Sequence, residues 1–142
     1  MSDWMAAEDE VVATNDRFYR AFESLDIKEM EAVWLTDGEV QCIHPGWGPL
    51  RGWAEVRDGW VRIFNNTSSM RFTPRVLHVA THADVAWLVC VEAIHSRHGE
   101  EEQTSHVLAT NVFERREGRW GMVHHHASPV FRASQGEQEE PA

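Results

Sequence analysis

The sequence lacks the features that mark several large functional classes. No stretch approaches the roughly 20 apolar residues that a membrane span needs, and the N-terminus is acidic where a secretion signal would be basic and then apolar. Gly46, Gly48 and Gly52 match neither the P-loop nor the dinucleotide fingerprint, and no Gly-X-Ser-X-Gly elbow occurs. We therefore expect a cytoplasmic protein that has no nucleotide cofactor and no membrane partner.

Basic residues and cysteines are also scarce. The chain has 13 Lys and Arg against 23 Asp and Glu, a formal net charge of -10. Nucleic-acid binding needs clustered positive charge, so we expect no nucleic-acid partner. The two cysteines, Cys42 and Cys90, each lie in an apolar, strand-like run. In a reducing compartment they are expected to be buried thiols.

Tryptophan and histidine, in contrast, are abundant. The 142 residues include seven Trp and nine His, and 42% of the chain is hydrophobic. This length and composition fit one domain, which we place at residues 7–131. We expect a flexible N-terminus at residues 1–6 and a disordered acidic tail at residues 132–142, which has no apolar anchor. Because tryptophan is costly to expose, several should line a core, an interface or a ligand cavity.

Hydrophobic spacing changes along the chain from a helical to a strand period. It predicts helices at 7–24, 27–35 and 53–65, with a short strand from Glu39 to His44 before the third helix. From residue 70 the period becomes two, which predicts strands at about 70–80, 84–97, 103–116 and 119–130. Helices followed by a meander of long antiparallel strands indicate an α+β fold.

The last two strands predict a hairpin whose outer face is open to a partner. A three-residue loop at 116–118 would pair Arg115 with Arg119. Neither face of this hairpin alternates apolar with charged residues, so both should be covered, one by helices and the other by a second subunit. We therefore predict a homodimer. The predicted dimer face contains Trp120, Met122, His124 and His126.

The element order and the closing pattern resemble a known superfamily. A His44-Pro45-Gly46 loop, a helix opened by Gly52 and Trp53, and the closing residues 110–129 resemble the nuclear transport factor 2-like superfamily, in its SnoaL-like branch. The closing pattern is also similar to the association domain of calcium/calmodulin-dependent protein kinase II. The resemblance covers about residues 7–130. It implies a cone of about three helices on a strongly curved, mostly antiparallel sheet around an apolar pocket.

Three positions bear on what this resemblance implies for activity. Ketosteroid isomerases keep a catalytic Asp where this chain has His44, followed by Pro45. Their oxyanion-donating Tyr falls on Phe18, next to Tyr19, and their second oxyanion acid falls near Thr110 or Asn111. The resemblance therefore implies a changed base and no matching oxyanion hole, so steroid isomerase activity is not expected.

The resemblance to the kinase association domain bears on the charge of the pocket. Buried arginines line the pocket of that domain. The matching positions here are Val89, Asn111 and Ala127. The resemblance therefore implies a pocket without positive charge, which does not favour an anionic ligand.

Three polar residues are the candidate catalytic groups. His44 is a plausible general base at the pocket mouth, because imidazole titrates near neutral pH; the alternative is a strand-end histidine that caps backbone groups. His125, with Asn111 and His95 on neighbouring strands, could orient a ligand by hydrogen bonds. The alternative for that set is a buried polar cluster that satisfies itself.

A set of aromatic and apolar residues could form the wall of a cavity for a flat or hydrophobic ligand. Core packing is the alternative reading of such a set, and we favour it for Phe22 and Trp34. We favour the cavity for Trp60 and Phe64, which lie four residues apart on the third helix. The predicted pocket consists of Phe18, Trp47, Val56, Trp60, Phe64, Trp87, Val89, His95, Phe113 and Ala127.

The histidine run at 124–126 raises the question of a metal site. His124 and His126 share a strand face with His106 on the neighbouring strand, and imidazole suits zinc, copper or nickel. That face has no evident carboxylate or thiolate to complete a metal site. We therefore predict interface or structural hydrogen bonding and no metal cofactor.

Two functional hypotheses remain at this point. One is a binder of a small apolar or aromatic molecule, in its enzymatic form an isomerase, cyclase or dehydratase that uses general acid/base chemistry without metal or nucleotide. The other is a non-enzymatic dimeric module for ligand sensing or oligomerisation. A cavity of at least about 300 Å³ beside His44 would favour the first.

Overall fold

Three helices precede most of a six-stranded sheet. The computed structural model describes residues 3–130, with side chains from residue 7 onward. The elements are α1 (Asp3–Ser24), α2 (Ile27–Val33), β1 (Gln41–Ile43), β2 (Leu50–Arg51), α3 (Gly52–Asn65), β3 (Ser69–His82), β4 (Val85–His98), β5 (Glu101–Arg116) and β6 (Arg119–Pro129). The predicted order and the α+β class are confirmed. Helix α1 begins four residues before the predicted start, and the predicted disordered tail at 132–142 lies outside the described residues.

The first two helices are separated by a short and well-defined break. Helix α1 gives way to Leu25, which adopts a left-handed φ of 57°. The Asp26 carboxylate then accepts a hydrogen bond of 2.9 Å from the backbone N–H of Lys28, which caps the start of α2. The break turns α2 back toward the rest of the chain, where it packs against both α1 and α3.

The sheet has the order β2-β1-β6-β5-β4-β3. Its pairings are antiparallel except that β1 runs parallel to β6. The parallel pair places the end of β1, and therefore His44, beside the middle of β6. The two-residue strand β2 was not predicted, because a strand this short that follows two glycines and two prolines shows no period.

The long strands have an inner face, which α1, α2 and α3 cover, and an opposite outer face. Inner residues alternate along the paired strands and are mostly buried, whereas outer residues are half-buried or exposed. The inner rows across β4, β5 and β6 are Ala86, Phe113 and Met122, then Leu88, Asn111 and His125, then Cys90, Ala109 and Ala127. The outer rows are Trp87, Val112 and His124, then Val89, Thr110 and His126, then Val91, Leu108 and Ser128.

The β5–β6 hairpin corrects the predicted register. Arg116 pairs with Arg119 across a two-residue turn of Glu117 and Gly118, both with positive φ, so the predicted pairing of Arg115 with Arg119 was wrong. A bulge between Val112 and Phe113 then shifts the register once more. These two irregularities change which β6 side chains face the helices.

Two residues of the predicted dimer face are buried as a consequence of this register. Trp120 is buried, and its indole N–H donates to a Glu10 carboxylate oxygen of α1 at 3.1 Å. Met122 is fully buried and pairs with the core residue Phe113. Their assignment to the open sheet face was wrong, whereas His124 and His126 do lie on the outer face.

An aromatic cluster joins α1 to α3 and supports the inner face of the sheet. The ring of Trp60 on α3 lies 5.7 Å from that of Phe18 and 4.7 Å from that of Phe22, both in edge-on arrangements. Such pairs contribute about 1 kcal/mol each beyond their burial. The cluster holds α1 and α3 at fixed positions above the sheet.

Within residues 3–130, no helix is both long and apolar enough to cross a membrane.

Candidate functional site

A cavity of about 450 Å³ opens beside the aromatic cluster, between the helices and the inner face of the sheet. Its apolar wall consists of Phe22, Pro45, Trp47, Ile63, Met70, Ile94, Val107, Ala127 and Pro129. Its polar groups are His44, Glu92, Ser96, His98, Ser105, His106 and His125. None of the lining residues that the structure describes is Lys or Arg. A mostly apolar wall with a few polar groups is typical of small-molecule sites.

His44 enters the cavity at the end of β1, in a turn that glycine makes possible. The backbone N–H of Trp47 donates to the carbonyl of His44 at 2.9 Å, and Gly46 adopts a φ of 82°. The imidazole packs between two indoles, with ring centroids 4.8 Å from Trp47 and 4.6 Å from Trp60. Its Nε2 lies 3.5 Å from the Cys42 thiol sulfur. Burial, and secondarily the charge of Arg62, lowers the pKa of His44 to about 4, so this imidazole is neutral at neutral pH.

Glu92 is a buried carboxyl group in the cavity wall. It lies on the inner face of β4, is 2% exposed and accepts a short hydrogen bond from the hydroxyl of Tyr19 on α1. Burial raises the pKa of Glu92 to about 7, and the hydrogen bond from Tyr19 opposes part of that rise. This carboxyl group can therefore both donate and accept a proton near neutral pH.

His125 lies on the inner face of β6, and a neighbouring amide fixes its position. Its Nδ1 lies 2.6 Å from the Oδ1 of Asn111 on β5. Phe18 packs against the imidazole, with ring centroids 4.9 Å apart. Burial, together with the nearby histidines beginning with His44, holds the pKa of His125 well below its usual value. His125 is therefore a neutral group in the cavity wall.

Asn111 connects the surroundings of His125 to those of Glu92. Its Nδ2 donates to the Oδ1 of Asn15 at 2.8 Å and to the hydroxyl oxygen of Tyr19 at 3.3 Å. Since Tyr19 in turn donates to Glu92, a continuous buried chain of hydrogen bonds joins Glu92 to His125 in the cavity wall. We call Glu92, Tyr19, Asn111 and His125 the polar network.

The residues predicted for the pocket divide into three groups. His44, Trp47, His125 and Ala127 line the cavity. Phe18, Val56, Trp60, Phe64 and Phe113 are buried behind the lining, and Asn111 lies there with them. Phe22, which we expected to be plain core, lines the cavity as well.

Trp87, Val89 and His95 are the third group, and their assignment to the pocket is corrected. They occupy outer positions on β4, and Trp87 is 40% exposed on the face opposite the helices. His95 is exposed and contacts the hydroxyl of Thr104 on β5 at 3.2 Å. The prediction failed because Trp87 and Val89 alternate with the inner residues of β4, and periodicity alone does not say which of two apolar faces is the inner one.

Glu92 and Tyr19 were not among the predicted site residues. Glu92 is the single charged residue in the apolar run 85–94 of β4. A lone carboxyl group at an inward position of such a run was the available signal, since buried carboxyl groups are rare unless they are paired. Tyr19 lies next to Phe18, the position that the resemblance indicates for an oxyanion donor.

The histidines of the outer face do not form a recognisable metal site. The rings of His124 and His126 lie 6.3 Å apart and edge-on. Within residues 3–130, no three His, Cys, Asp or Glu side chains come together in a metal-binding arrangement.

Comparisons with known proteins agree with this architecture. The family model for the SnoaL-like domain matches residues 11–132. A proposed dehydratase of the NTF2-like family from Streptomyces avermitilis is 36% identical, with a TM-score of 0.84 over 89% of this chain and 97% of its own. A proposed calcium/calmodulin-dependent protein kinase type II association domain from Thiobacillus denitrificans is 38% identical, with a TM-score of 0.75 over 84% of this chain and 94% of its own. The predicted resemblance is confirmed.

A curated relative is longer than this chain. The F-box protein SKIP8 of Arabidopsis thaliana is 29% identical over 129 residues, which is 91% of this chain. The match covers 53% of the relative, so this chain spans about half of its length.

Proposed function

The chain belongs to the SnoaL-like domain family, and from that premise we propose that it is an enzyme that moves a proton on a small, uncharged molecule by general acid/base chemistry. Dehydration or isomerisation is the reaction class. The observation that carries the proposal is Glu92, a carboxyl group buried in an apolar cavity with its pKa raised to about 7. Groups with a pKa near the working pH are the most effective acids and bases.

In this proposal Glu92 performs the proton transfer. Its carboxylate takes a proton from a carbon next to a carbonyl group, and the electron pair released from that C–H bond forms the carbon–carbon double bond of an enolate while the carbonyl π pair moves onto the oxygen. In a dehydration, Glu92 then gives the proton to the hydroxyl group on the next carbon, which leaves as water while the carbonyl re-forms and the electron pair becomes the new carbon–carbon double bond. In an isomerisation, the proton returns to a different carbon of the same molecule.

The cavity's histidines have supporting roles in the proposal. Neutral His125 accepts a hydrogen bond from a hydroxyl group of the substrate. His44 is the alternative base from the sequence, but an imidazole with a pKa of about 4 has little affinity for a proton at neutral pH. The lining contains no Lys or Arg among the described residues, which favours an uncharged substrate.

A similar protein supports the dehydration form of the proposal. The structure from Streptomyces avermitilis, itself a proposed dehydratase, is 36% identical and shares the fold over 89% of this chain. The family alone does not specify a reaction, because one fold supports many activities.

The proposal is tested by exchange with deuterated water. The protein is incubated with a set of neutral β-hydroxy ketones, and mass spectrometry follows deuterium uptake next to the carbonyl and loss of water. We expect Glu92→Gln to slow both by about 100-fold or more. Glu100→Gln, at an exposed turn position between β4 and β5, is the matched control and should retain the wild-type rate. Equal rates in wild type and Glu92→Gln would contradict the proposal.

A second proposal concerns the outer face, where we propose that a second copy of the chain binds. Trp87 and Leu108 are each 40% exposed there, among Val89, Val91 and Val112. The three outer rows contain no Lys, Arg, Asp or Glu. Two copies of a chain with net charge -10 can therefore meet there without bringing side chains of like charge together. The homodimer hypothesis is therefore kept, with the outer-row residues in place of Trp120 and Met122. A dimer is compatible both with an enzyme and with a non-enzymatic module.

A further inference from the structure

The orientation of the Asn111 amide determines which hydrogen bond His125 can offer to the cavity. A carboxamide oxygen only accepts, so the 2.6 Å contact between Asn111 Oδ1 and His125 Nδ1 requires the proton to be on Nδ1. In a neutral imidazole the other nitrogen, Nε2, then carries a lone pair and only accepts. Within the described residues, Nε2 of His125 makes no hydrogen bond.

Two neighbours hold the Asn111 amide in this orientation. Its NH₂ group donates to Asn15 Oδ1 at 2.8 Å and to the Tyr19 oxygen at 3.3 Å. While Glu92 is ionised, the proton of the Tyr19 hydroxyl is directed to Glu92, so Tyr19 has no proton left to donate to Asn111.

We propose that Asn111 is a positioning and specificity-determining residue, which fixes His125 as a hydrogen-bond acceptor so that the cavity selects ligands that present a hydroxyl group. This rests on the proposed function in so far as the cavity is the ligand site. The ligand class is a small, uncharged molecule with an apolar ring system and at least one hydroxyl group. An ether or a ketone of the same shape has no proton for Nε2 and leaves it without a partner once the ligand has displaced water from the cavity, which costs affinity.

The opposite arrangement makes a distinct prediction. If both amides were reversed, Asn111 would donate to Nδ1 of His125, the proton would move to Nε2, and the cavity would favour carbonyl groups. Tyr19 would then have to donate to Asn111 and receive a proton from Glu92. The two arrangements therefore differ in one observable, which is the nitrogen of His125 that carries the proton.

The first test is nitrogen NMR of histidine-labelled protein without any ligand. The His125 signal is assigned with the variant His125→Gln. We expect the proton on Nδ1 in the wild type, and a mixture of the two forms in Asn111→Leu. The conservative variant Asn111→Asp keeps an acceptor for Nδ1–H and should restore the wild-type form. A wild-type proton on Nε2 would overturn the inference, whatever the two Asn111 variants show.

The second test uses two probes of one shape, 2-naphthol and its methyl ether, whose binding is followed by tryptophan fluorescence. We expect the wild type to prefer the naphthol by about tenfold or more, and Asn111→Leu to lose most of that preference. Binding of both probes without a preference would overturn this inference and leave the proposed function intact. Binding of neither probe, in a protein with the expected His125 proton, would contradict the cavity as a ligand site and therefore the proposed function.

Discussion

The hydroxyl of Tyr19 lies between the amide of Asn111 and the carboxyl group of Glu92, accepting a hydrogen bond from the first and donating one to the second. This places a residue of α1 at the centre of a network whose other members belong to the sheet. Burial and the charge of Glu92 raise the pKa of Tyr19 well above its usual value, so its hydroxyl keeps its proton. The network therefore has a defined direction, and each part of it can be tested separately.

Replacing Tyr19 by Phe should raise the pKa of Glu92 further. The hydrogen bond from Tyr19 favours the ionised carboxylate, and its loss leaves the burial that favours the neutral acid. The pH at which activity changes with Glu92 ionisation should move upward in Tyr19→Phe. The measurement is the pH profile of deuterium exchange in the two proteins, and an unchanged or lowered midpoint would contradict the assignment.

Replacing Glu92 by Gln should change how stability depends on pH. The folded-state pKa of Glu92 is about 7 and its ordinary value is 4.5, so the unfolded chain ionises first as the pH rises. The wild type therefore loses about 3 kcal/mol of unfolding free energy across that window, and Gln removes this loss. The lowered pKa values of His44 and His125 destabilise both proteins equally in acid, so they cancel in the comparison.

Urea unfolding of both proteins at about pH 5 and about pH 8 measures this difference. The stability of Glu92→Gln relative to the wild type should increase between the lower and the higher pH. A constant difference between the two proteins would show that Glu92 titrates in its ordinary range.

Two buried tryptophans should respond differently to replacement by Phe. Trp60 is fully buried and its indole N–H has no partner within the described residues, whereas Trp120 donates to Glu10. Both variants lose indole volume, but only Trp120→Phe also loses a hydrogen bond, which adds a cost of about 1 kcal/mol. Chemical denaturation of the two variants checks the order. A larger loss of stability in Trp60→Phe would mean that its N–H has a partner, such as a buried water.

A charge on the outer face should separate the proposed dimer. Trp87→Glu introduces a carboxylate where two copies would meet, so we expect a monomer in light scattering at micromolar concentration. Val12→Glu, at a site 38% exposed on α1, is the matched control and should leave the assembly unchanged. A wild-type protein that is already monomeric at that concentration would refute the dimer.

The helices and strands could be predicted from the sequence because the hydrophobic patterns that indicate them are local. Helical spacing and the change to a period of two placed all three helices and the four long strands to within a few residues. The left-handed Leu25 and the Asp26 cap mark the same break that the sequence indicates at 24–26. The SnoaL-like resemblance rested on the closing residues, which do form β6 beside the site.

The site was harder to predict because it depends on the register of the strands and on how deeply each side chain is buried. The two-residue turn pairs Trp120 with Arg115 and Met122 with Phe113, which moved both residues from the predicted dimer face to the core. Trp87 looked like a pocket residue because both faces of β4 are apolar, and only packing against the helices reveals which face is inner. Glu92 is a candidate catalytic group because it is buried and accepts a hydrogen bond from Tyr19, which is 73 residues away along the chain. No local sequence pattern encodes that contact.

The most direct test of the central claim is a pH titration of Glu92 itself. Carbon NMR of protein labelled at the glutamate side-chain carboxyl groups, compared between wild type and Glu92→Gln, isolates its signal. We predict one carboxyl group that titrates near pH 7 in the wild type and is absent from the variant. If every glutamate instead titrates near the ordinary value of 4.5, Glu92 is not a neutral acid in the cavity wall and the proposed chemistry fails.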